Sequence, residues 1–240
     1  GATPPIAESD PVLLGPRRFA PPSFGAIPAS MLPVYTLTQF AARTPGTAPF
    51  PHDAVMLTID DGPDPHWTPK ILALLARYHV RATFCLIGRS ARAHPTLARA
   101  AASEGHLLAN HTFSHPPKLT ALSDASVRAQ IVDAQDAIVA AAGVTPFQFR
   151  SPGGNWSAKL LRQLAADKLT AIDWDVDPRD WSRPGPEQII ARMLAARPGD
   201  VLLCHDGGGD RSQTYTALQT VLPQLKARGL QFTVLPPPHS

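Results

Sequence analysis

The feature that most constrains this fold is an alternation of short apolar runs with segments of helical periodicity, from about residue 54 to residue 235. Such alternation is typical of a parallel sheet with helices packed outside it, because parallel strands need long crossover connections. The pattern predicts seven strands and places helices between them. We expect the strands near residues 54–59, 82–87, 107–109, 147–149, 170–174, 200–204 and 231–235.

The domain organisation follows from length and proline content. The chain has 240 residues, of which 44% are hydrophobic, enough for one large core and a single α/β domain. Eight prolines within residues 1–33 and little periodicity there are typical of an extended arm. We therefore predict a Pro-rich arm or linker over residues 1–51 and the folded domain over residues 52–240. Because such arms often tether exported domains, we expect a secreted protein.

Charge and apolar runs bear on partners. The formal net charge is +3 and the pI is about 9.1, but the basic residues are scattered and no nucleic-acid module is present. No apolar run reaches the roughly 20 residues of a membrane span. We expect no nucleic-acid partner and no membrane-spanning segment. Cys85 and Cys204 lie in apolar, strand-like runs typical of buried thiols, although one disulfide stays possible on sequence alone.

Polar residues follow the predicted strands at the points where the strands end. The carboxyl ends of parallel strands meet on one side of a sheet or barrel, where these folds place their active sites. The residues concerned are Asp60, Asp61, His111, Arg150, Asp177, Asp180 and His205.

Two adjacent carboxylates, Asp60 and Asp61, stand where the first strand enters a Gly-Pro turn. Buried carboxylates are costly unless they are paired or bind a metal, and successive side chains on a strand diverge. The two residues should therefore serve different partners. A solvated turn with capping aspartates is the alternative that this stretch alone would favour.

Two histidines four residues apart, His111 and His115, would face the same way on a helical turn and could bind one ion. Surface or capping histidines are the alternative for this spacing alone. Adding Asp61 gives two imidazoles, one carboxylate and an open position, the ligand set of a catalytic zinc site. Co²⁺ and Ni²⁺ suit the same ligands, and the open position argues against a purely structural zinc. Asp60 is then left as a base.

Five stretches of residues 53–236 resemble, in order, the motifs of the polysaccharide deacetylases of carbohydrate esterase family 4, the NodB homology domain. They are Thr58-Ile59-Asp60-Asp61-Gly62-Pro63-Asp64, His111-Thr112-Phe113-Ser114-His115, Arg150-Ser151-Pro152-Gly153-Gly154, Asp177-Pro178-Arg179-Asp180-Trp181 and Leu203-Cys204-His205. The resemblance implies an α/β fold, a distorted (β/α) barrel of about seven parallel strands with outer helices. It also implies a metal-dependent deacetylase, with zinc as the expected ion.

The resemblance assigns a role to each motif residue. It gives Asp61, His111 and His115 as the metal ligands. Asp60 would be the base, which Arg150 would keep ionised. His205 would be the acid that protonates the leaving amine, and Asp180 would raise the pKa of His205.

Four further residues are expected to bind substrate. The resemblance places the Gly153 N–H at the developing oxyanion, and Trp181 with Leu203 around the acetyl methyl, although both could be ordinary core residues. Trp156 could stack on a sugar or be a structural tryptophan. Many family members have a tyrosine after Arg-x-Pro where this chain has Gly153, so the backbone donor remains and a ring is lost.

Our hypothesis is N-deacetylation of N-acetylglucosamine units in a polysaccharide, foremost peptidoglycan, by a monomeric, secreted or cell-wall-associated enzyme. The open alternatives are a chitin or chitooligosaccharide deacetylase and an acetylxylan O-deacetylase. A hypothesis of another class is an inactive carbohydrate-binding module. Such a module should have lost its base or acid, whereas Asp60 and His205 are both present.

Overall fold

The computed structural model describes residues 24–238 and follows the predicted alternation. The strands are β1 (Ala54–Asp60), β2 (Thr83–Leu86), β3 (Leu107–Asn110), β4 (Gln148–Phe149), β5 (Thr170–Ala171), β6 (Val201–His205) and β7 (Gln231–Phe232). The helices are α1 (Leu37–Arg43), α2 (Trp67–Arg77), α3 (Gly88–Ala93), α4 (Pro95–Ser103), α5 (Asp124–Ala142), α6 (Ala158–Ala166), α7 (Pro186–Met193) and α8 (Ser212–Ala227). Within the described residues, no helix has the length and hydrophobicity needed to cross a membrane.

All strand pairs are parallel, in the order β5-β4-β3-β2-β1-β6, and β7 pairs with the first two residues of β1. The sheet curls until isolated bridges join its two edges. The bridges pair Val34 with Ile172, Thr36 with Asp200, and Val176 with Leu202. The prediction of a distorted (β/α) barrel with about seven parallel strands and outer helices is confirmed.

The two faces of β1 pack against different parts of the protein. Val55, Leu57 and Ile59 belong to the hydrophobic cluster formed with the outer helices, whereas Met56 belongs to the cluster inside the barrel. Because side chains alternate along a strand, Asp60 shares the inward face with Met56. The strand therefore delivers its last carboxylate to the mouth of the barrel.

Both cysteines are free and buried. Cys85 belongs to the cluster inside the barrel and Cys204 to the cluster under the helices, so they lie on opposite faces of the sheet. The prediction of buried thiols is confirmed, and this separation explains why no disulfide joins them.

The packed domain begins earlier than the predicted boundary at residue 52. Val34, Leu37 and Phe40 are buried inside the barrel cluster, and α1 covers the end of the barrel opposite the carboxyl ends of the strands. The Thr36 hydroxyl accepts the Gln39 N–H at 3.1 Å and forms a capping box that starts α1. The boundary is therefore corrected to residue 34 or earlier. Residues 1–23 of the predicted arm lie outside the described residues.

Three local details are visible only in the structure. Helix α2 begins at Trp67, because Asp64 Oδ1 accepts the N–H groups of His66 and Trp67 at 2.8 Å each. Helix α3 was not predicted. Strand β5 is shorter than predicted: its pairing with β4 ends at Ala171, and the Asp173 N–H that follows donates to Val34 O at 2.8 Å in the Val34–Ile172 bridge.

Candidate active site

The structure brings the seven predicted catalytic and metal-binding residues together at the carboxyl ends of the strands. Asp60 and His205 are directly paired across β1 and β6, which places the predicted base and acid side by side. His111 follows β3, Arg150 follows β4, and Asp180 lies in a short 3-10 turn, Asp180–Ser182, beyond β5. The predicted convergence on one end of the barrel is what the fold produces.

Asp61, His111 and His115 form a cluster whose candidate ligand atoms all lie within 4.8 Å of one another. Asp61 Oδ1 is 3.2 Å from His111 Nε2 and 3.4 Å from His115 Nε2. His111 is buried, whereas the His115 side chain is 37% exposed. The cluster therefore has a buried side and an open side, which suits three protein ligands with a further position for water or substrate.

The backbone that presents these ligands is a tight loop, not the predicted helical turn. Thr112 and His115 have φ values of 67° and 58°, and Asp61 has φ of 80°. The Gln130 side-chain carbonyl, on α5, accepts the N–H groups of Phe113 and Ser114 at 3.0 Å each and holds the loop. Left-handed conformations in β-branched residues such as threonine are uncommon and concentrate at functional sites.

The protons around His111 show that the cluster fits a cation. His111 Nδ1–H donates to Arg150 O at 2.7 Å, so Nε2 is the atom directed at Asp61. Asp61 Oδ1 is buried and receives no hydrogen bond of good geometry. A neutral imidazole would turn the Nε2 lone pair toward the carboxylate oxygen, a contact that a cation between the two atoms makes favourable.

The pKa shifts of the three residues also indicate that the cluster favours a positive charge. Burial alone would lower the pKa of His111, but the carboxylates of Asp60 and Asp61 raise it above its usual value. Burial would raise the pKa of Asp61, yet the close contact with His111 and the charges of the neighbouring histidines hold it well below its usual range. Burial lowers the pKa of His115, which keeps that imidazole neutral, as ligation requires.

Asp60 is held by a fully buried arginine. Arg150 Nη1 donates to Asp60 Oδ1 at 2.7 Å and to Thr58 Oγ1 at 2.7 Å, and Nη2 donates to Asp173 O at 2.6 Å. Burial would lower the pKa of Arg150, but Asp60 raises it above its usual value, so the guanidinium stays charged. This charged partner occupies Asp60 Oδ1 and leaves Oδ2 directed toward His111 Nε2, 3.7 Å away.

His205 and Asp180 form the second charged pair. Asp180 accepts hydrogen bonds from the His205 N–H, the His205 Nδ1–H and the Thr214 hydroxyl, each at 2.8 Å. Burial would lower the pKa of His205, but the Asp180 carboxylate overcomes this and raises it to about 9. Burial would raise the pKa of Asp180, and the charge of His205 lowers it. The imidazole is therefore protonated at neutral pH and can donate a proton from Nε2.

The predicted oxyanion donor lies on an exposed turn. Gly153 has φ of 64°, and the turn bonds are made by Gly154 N to Ser151 O at 3.0 Å and by Asn155 N to Pro152 O at 3.3 Å. The Gly153 N–H takes no part in these two bonds. A positive φ suits glycine here, since a side chain would add strain.

The other three predicted substrate-binding residues have different surroundings. Trp156 packs against Phe149 and donates Nε1–H to Asp173 Oδ2 at 3.0 Å, contacts that favour the structural alternative over sugar stacking. Leu203 is buried on the inward face, two residues below His205. Trp181 is half exposed and directly follows Asp180, at the rim of the site.

Sequence reasoning missed the hydroxyls and carboxylates that support the site. Thr58 shares the inward face of β1 with Asp60, and that spacing of two was a usable signal. Thr214, on α8, had no sequence signal. Asp206 is fully buried beside Gly62, and its Oδ2 accepts the Thr68 hydroxyl at 2.7 Å, so this pair fixes the turn that carries Asp61.

Comparison with known proteins agrees with this geometry. A polysaccharide deacetylase family model matches residues 47–172. A chitooligosaccharide deacetylase from Rhizobium leguminosarum bv. trifolii is 41% identical, over 76% of this chain and 90% of its own length. A peptidoglycan-N-acetylglucosamine deacetylase from Bacillus cereus is 38% identical, over 75% and 85%. A crystal structure of a peptidoglycan N-acetylglucosamine deacetylase superposes with a TM-score of 0.75 at 35% identity, covering 78% of this chain and 88% of that one. The chain therefore belongs to the polysaccharide deacetylases of carbohydrate esterase family 4, hydrolases that act on N-acetyl groups.

Proposed function

We propose that this protein removes N-acetyl groups from N-acetylglucosamine units of a polysaccharide, foremost peptidoglycan, with the help of a divalent cation. The observation that carries the proposal is the placement of two buried charge pairs beside one cation cluster. Asp60 is paired with the charged Arg150, and His205 is kept protonated by Asp180. A base and an acid that coexist at one pH are what hydrolysis of an amide needs.

Asp61, His111 and His115 would hold the cation. When bound, a cation such as Zn²⁺ lowers the pKa of a water molecule and polarises a carbonyl oxygen. Cobalt and nickel fit the same ligands. Two atoms of this chain support such binding. They are Asp61 Oδ1, which accepts no hydrogen bond, and His111 Nε2, whose lone pair is directed at Asp61.

The remaining steps belong to residues of the chain. Asp60 Oδ2 takes a proton from the attacking water, while Arg150 keeps Oδ1 occupied. The Gly153 N–H is available to the oxygen of the tetrahedral intermediate, a contact of a kind that contributes about 2.7–4 kcal/mol to catalysis. His205 Nε2 then protonates the amine as the C–N bond breaks, because an amine anion leaves too slowly unaided.

Chitooligosaccharides are the second candidate substrate, supported by the chitooligosaccharide deacetylases among the relatives. Acetylxylan would need the same groups but carries an ester in place of the amide. An inactive binding module is disfavoured, because both acid–base pairs are present and hydrogen-bonded. We also propose that the protein works outside the cytoplasm, where peptidoglycan lies, and as a monomer.

The test is acetate release by protein stripped of metal with a chelator, before and after Zn²⁺ is restored. The substrates are an N-acetylglucosamine oligomer, peptidoglycan and acetylxylan, and Asp60→Asn is the matched inactive control. We expect release from the first two, only with metal and only from the parent protein. Activity confined to acetylxylan, or equal release by Asp60→Asn, would overturn the proposal.

A further inference from the structure

Beside the catalytic acid, an arginine stacks on an exposed tryptophan. The side chain of Trp181 is 50% exposed, and Arg179 Cζ lies 5.2 Å from the centre of its ring. Between them in the chain stands Asp180, the buried carboxylate that holds His205. Arg179 and Trp181 come directly before and after Asp180, so the Cα atom of each lies about 4 Å from the Cα atom of Asp180.

The backbone around this pair is held in an uncommon conformation. Arg179 has φ of 52° and ψ of 41°, in the left-handed region, where glycine or asparagine is the usual occupant. Asp177 Oδ1 accepts the Arg179 N–H at 2.8 Å, and Arg179 O accepts the Ser182 N–H at 3.0 Å and its hydroxyl at 2.7 Å. These bonds hold in place the backbone that carries Arg179 next to Asp180.

The charge of Arg179 has no carboxylate partner among residues 24–238. Arg183, four residues on, pairs with Asp210 at 3.1 Å, and Arg150 pairs with Asp60. Within the described part of the chain, the Arg179 guanidinium makes no hydrogen bond and lies over the ring of Trp181. A guanidinium stacked on a ring keeps its in-plane N–H groups available, and their spacing matches a carboxylate.

We propose that Arg179 and Trp181 form a subsite for a carboxylate-bearing sugar next to the N-acetylglucosamine unit that reacts. The indole covers the apolar face of the sugar, and the guanidinium binds the carboxylate. Arg179 is then a specificity-determining residue that selects an acidic glycan, such as one with N-acetylmuramic acid, over a neutral one. The inference rests on the proposed function, because it takes N-acetylglucosamine as the reacting unit.

The experiment compares a short peptide-free glycan of alternating N-acetylglucosamine and N-acetylmuramic acid with its methyl ester, which differs only in the charge of the lactyl group. The kcat/KM for acetate release is measured for each with the full-length, zinc-loaded protein. Equilibrium binding is measured for the same pair after de-N-acetylation of the glucosamine units, so that no reaction occurs. We expect the acid to be preferred over the ester by about 5- to 10-fold in both measurements, and less so at high salt.

Two variants test the residue. Arg179→Gln removes the charge, and Arg179→Asn removes it with a residue that adopts the left-handed conformation readily. Both should bring the acid-to-ester ratio close to one. The matched control is Arg77→Gln, because Arg77 also stacks on a ring, 5.3 Å from the centre of Tyr78, but at the C-terminal end of α2, away from the site. This control should keep the parent ratio.

The outcomes are distinct. An unchanged ratio in the Arg179 variants, or an equal fall in Arg77→Gln, overturns the subsite. Equal turnover of acid and ester by the parent overturns the subsite and leaves deacetylation standing. Preferential binding of the acid without acetate release from either glycan overturns the proposed function and leaves the subsite standing.

Discussion

Asp180 accepts both the backbone N–H and the ring Nδ1–H of His205, at 2.8 Å each, and so fixes the position of the imidazole and its charge together. The Thr214 hydroxyl, also at 2.8 Å, satisfies the same carboxylate from α8. Because one buried side chain both orients the acid and holds its proton, its removal should change the rate and the pH dependence at once.

We therefore predict that Asp180→Asn lowers kcat by about 100-fold or more and shifts the alkaline limit of activity. The acid must be protonated, so activity falls as pH rises through the pKa of His205, which Asp180 raises to about 9. Without the carboxylate, the limit should move to lower pH by about 1–3 units. A bound dication lowers this pKa in both proteins, so the difference between their pH profiles is the quantity to measure. Asp210→Asn, an exposed carboxylate, is the control and should leave the limit in place.

Metal binding should depend on all three cluster residues. Asp61→Ala and His111→Ala each remove one of the three ligands, and we expect zinc affinity to fall by more than the 10- to 100-fold typical of an outer contact. Affinity is measured by competition with a chromogenic chelator and zinc content by mass spectrometry. His66→Ala, an exposed histidine just beyond the Asp-Asp turn, is the control. Undiminished zinc content in Asp61→Ala would remove this residue from the site.

The Arg150–Asp60 pair should show strong coupling in stability. Arg150→Met leaves the Asp60 carboxylate buried without its partner, and we expect a loss of about 3–5 kcal/mol in the free energy of unfolding. Asp60→Asn removes the charge, so the double variant should recover part of that loss. The coupling is measured by urea unfolding of the parent protein, the two single variants and the double variant. Losses that simply add would mean that the two side chains do not support each other.

The sequence predicted the strands and the site better than the segments between them. Carboxylates, imidazoles and guanidinium at strand ends carried enough chemistry to identify the catalytic end of the barrel. The spacing of His111 and His115 indicated the ligands but suggested a helix, since the left-handed φ of Thr112 depends on Gln130, a contact from α5 that no local pattern reveals. Thr214 was missed for the same reason, because its contact with Asp180 also joins residues far apart in the chain.

Local sequence patterns also did not predict the packing at the end of the barrel opposite the active site. Val34 and Phe40 follow a Pro-rich stretch, and nothing nearby in the chain indicates that they pack inside a barrel whose strands begin 20 residues later. Their burial is decided by the gap between β5 and β6, which the Val34–Ile172 and Thr36–Asp200 bridges fill. Closure of a sheet is a property of the whole chain, so it appears only in the structure.

A carboxylate pair at this closure should control stability at alkaline pH. Asp175 and Asp200 are buried, and Asp175 Oδ1 accepts the Val201 N–H at 2.6 Å. Burial, a hydrogen bond with Asp200 and the charge of Asp200 raise the pKa of Asp175 to about 9. The folded protein therefore keeps a proton that the unfolded chain has released above about pH 4.

Because the folded state binds the extra proton, the free energy of unfolding should fall as pH rises from about 4 to 9. Asp175→Asn imitates the protonated acid, since its amide can donate to Asp200 while its oxygen accepts from Val201. We expect this variant to lose less stability over that range and, at pH 8, to exceed the parent by at least about 1 kcal/mol, or about 2–4 °C in Tm. Thermal unfolding across pH measures it, with the exposed Asp133→Asn as control. Parallel pH profiles for the parent and Asp175→Asn would show that Asp175 is ionised in the folded protein.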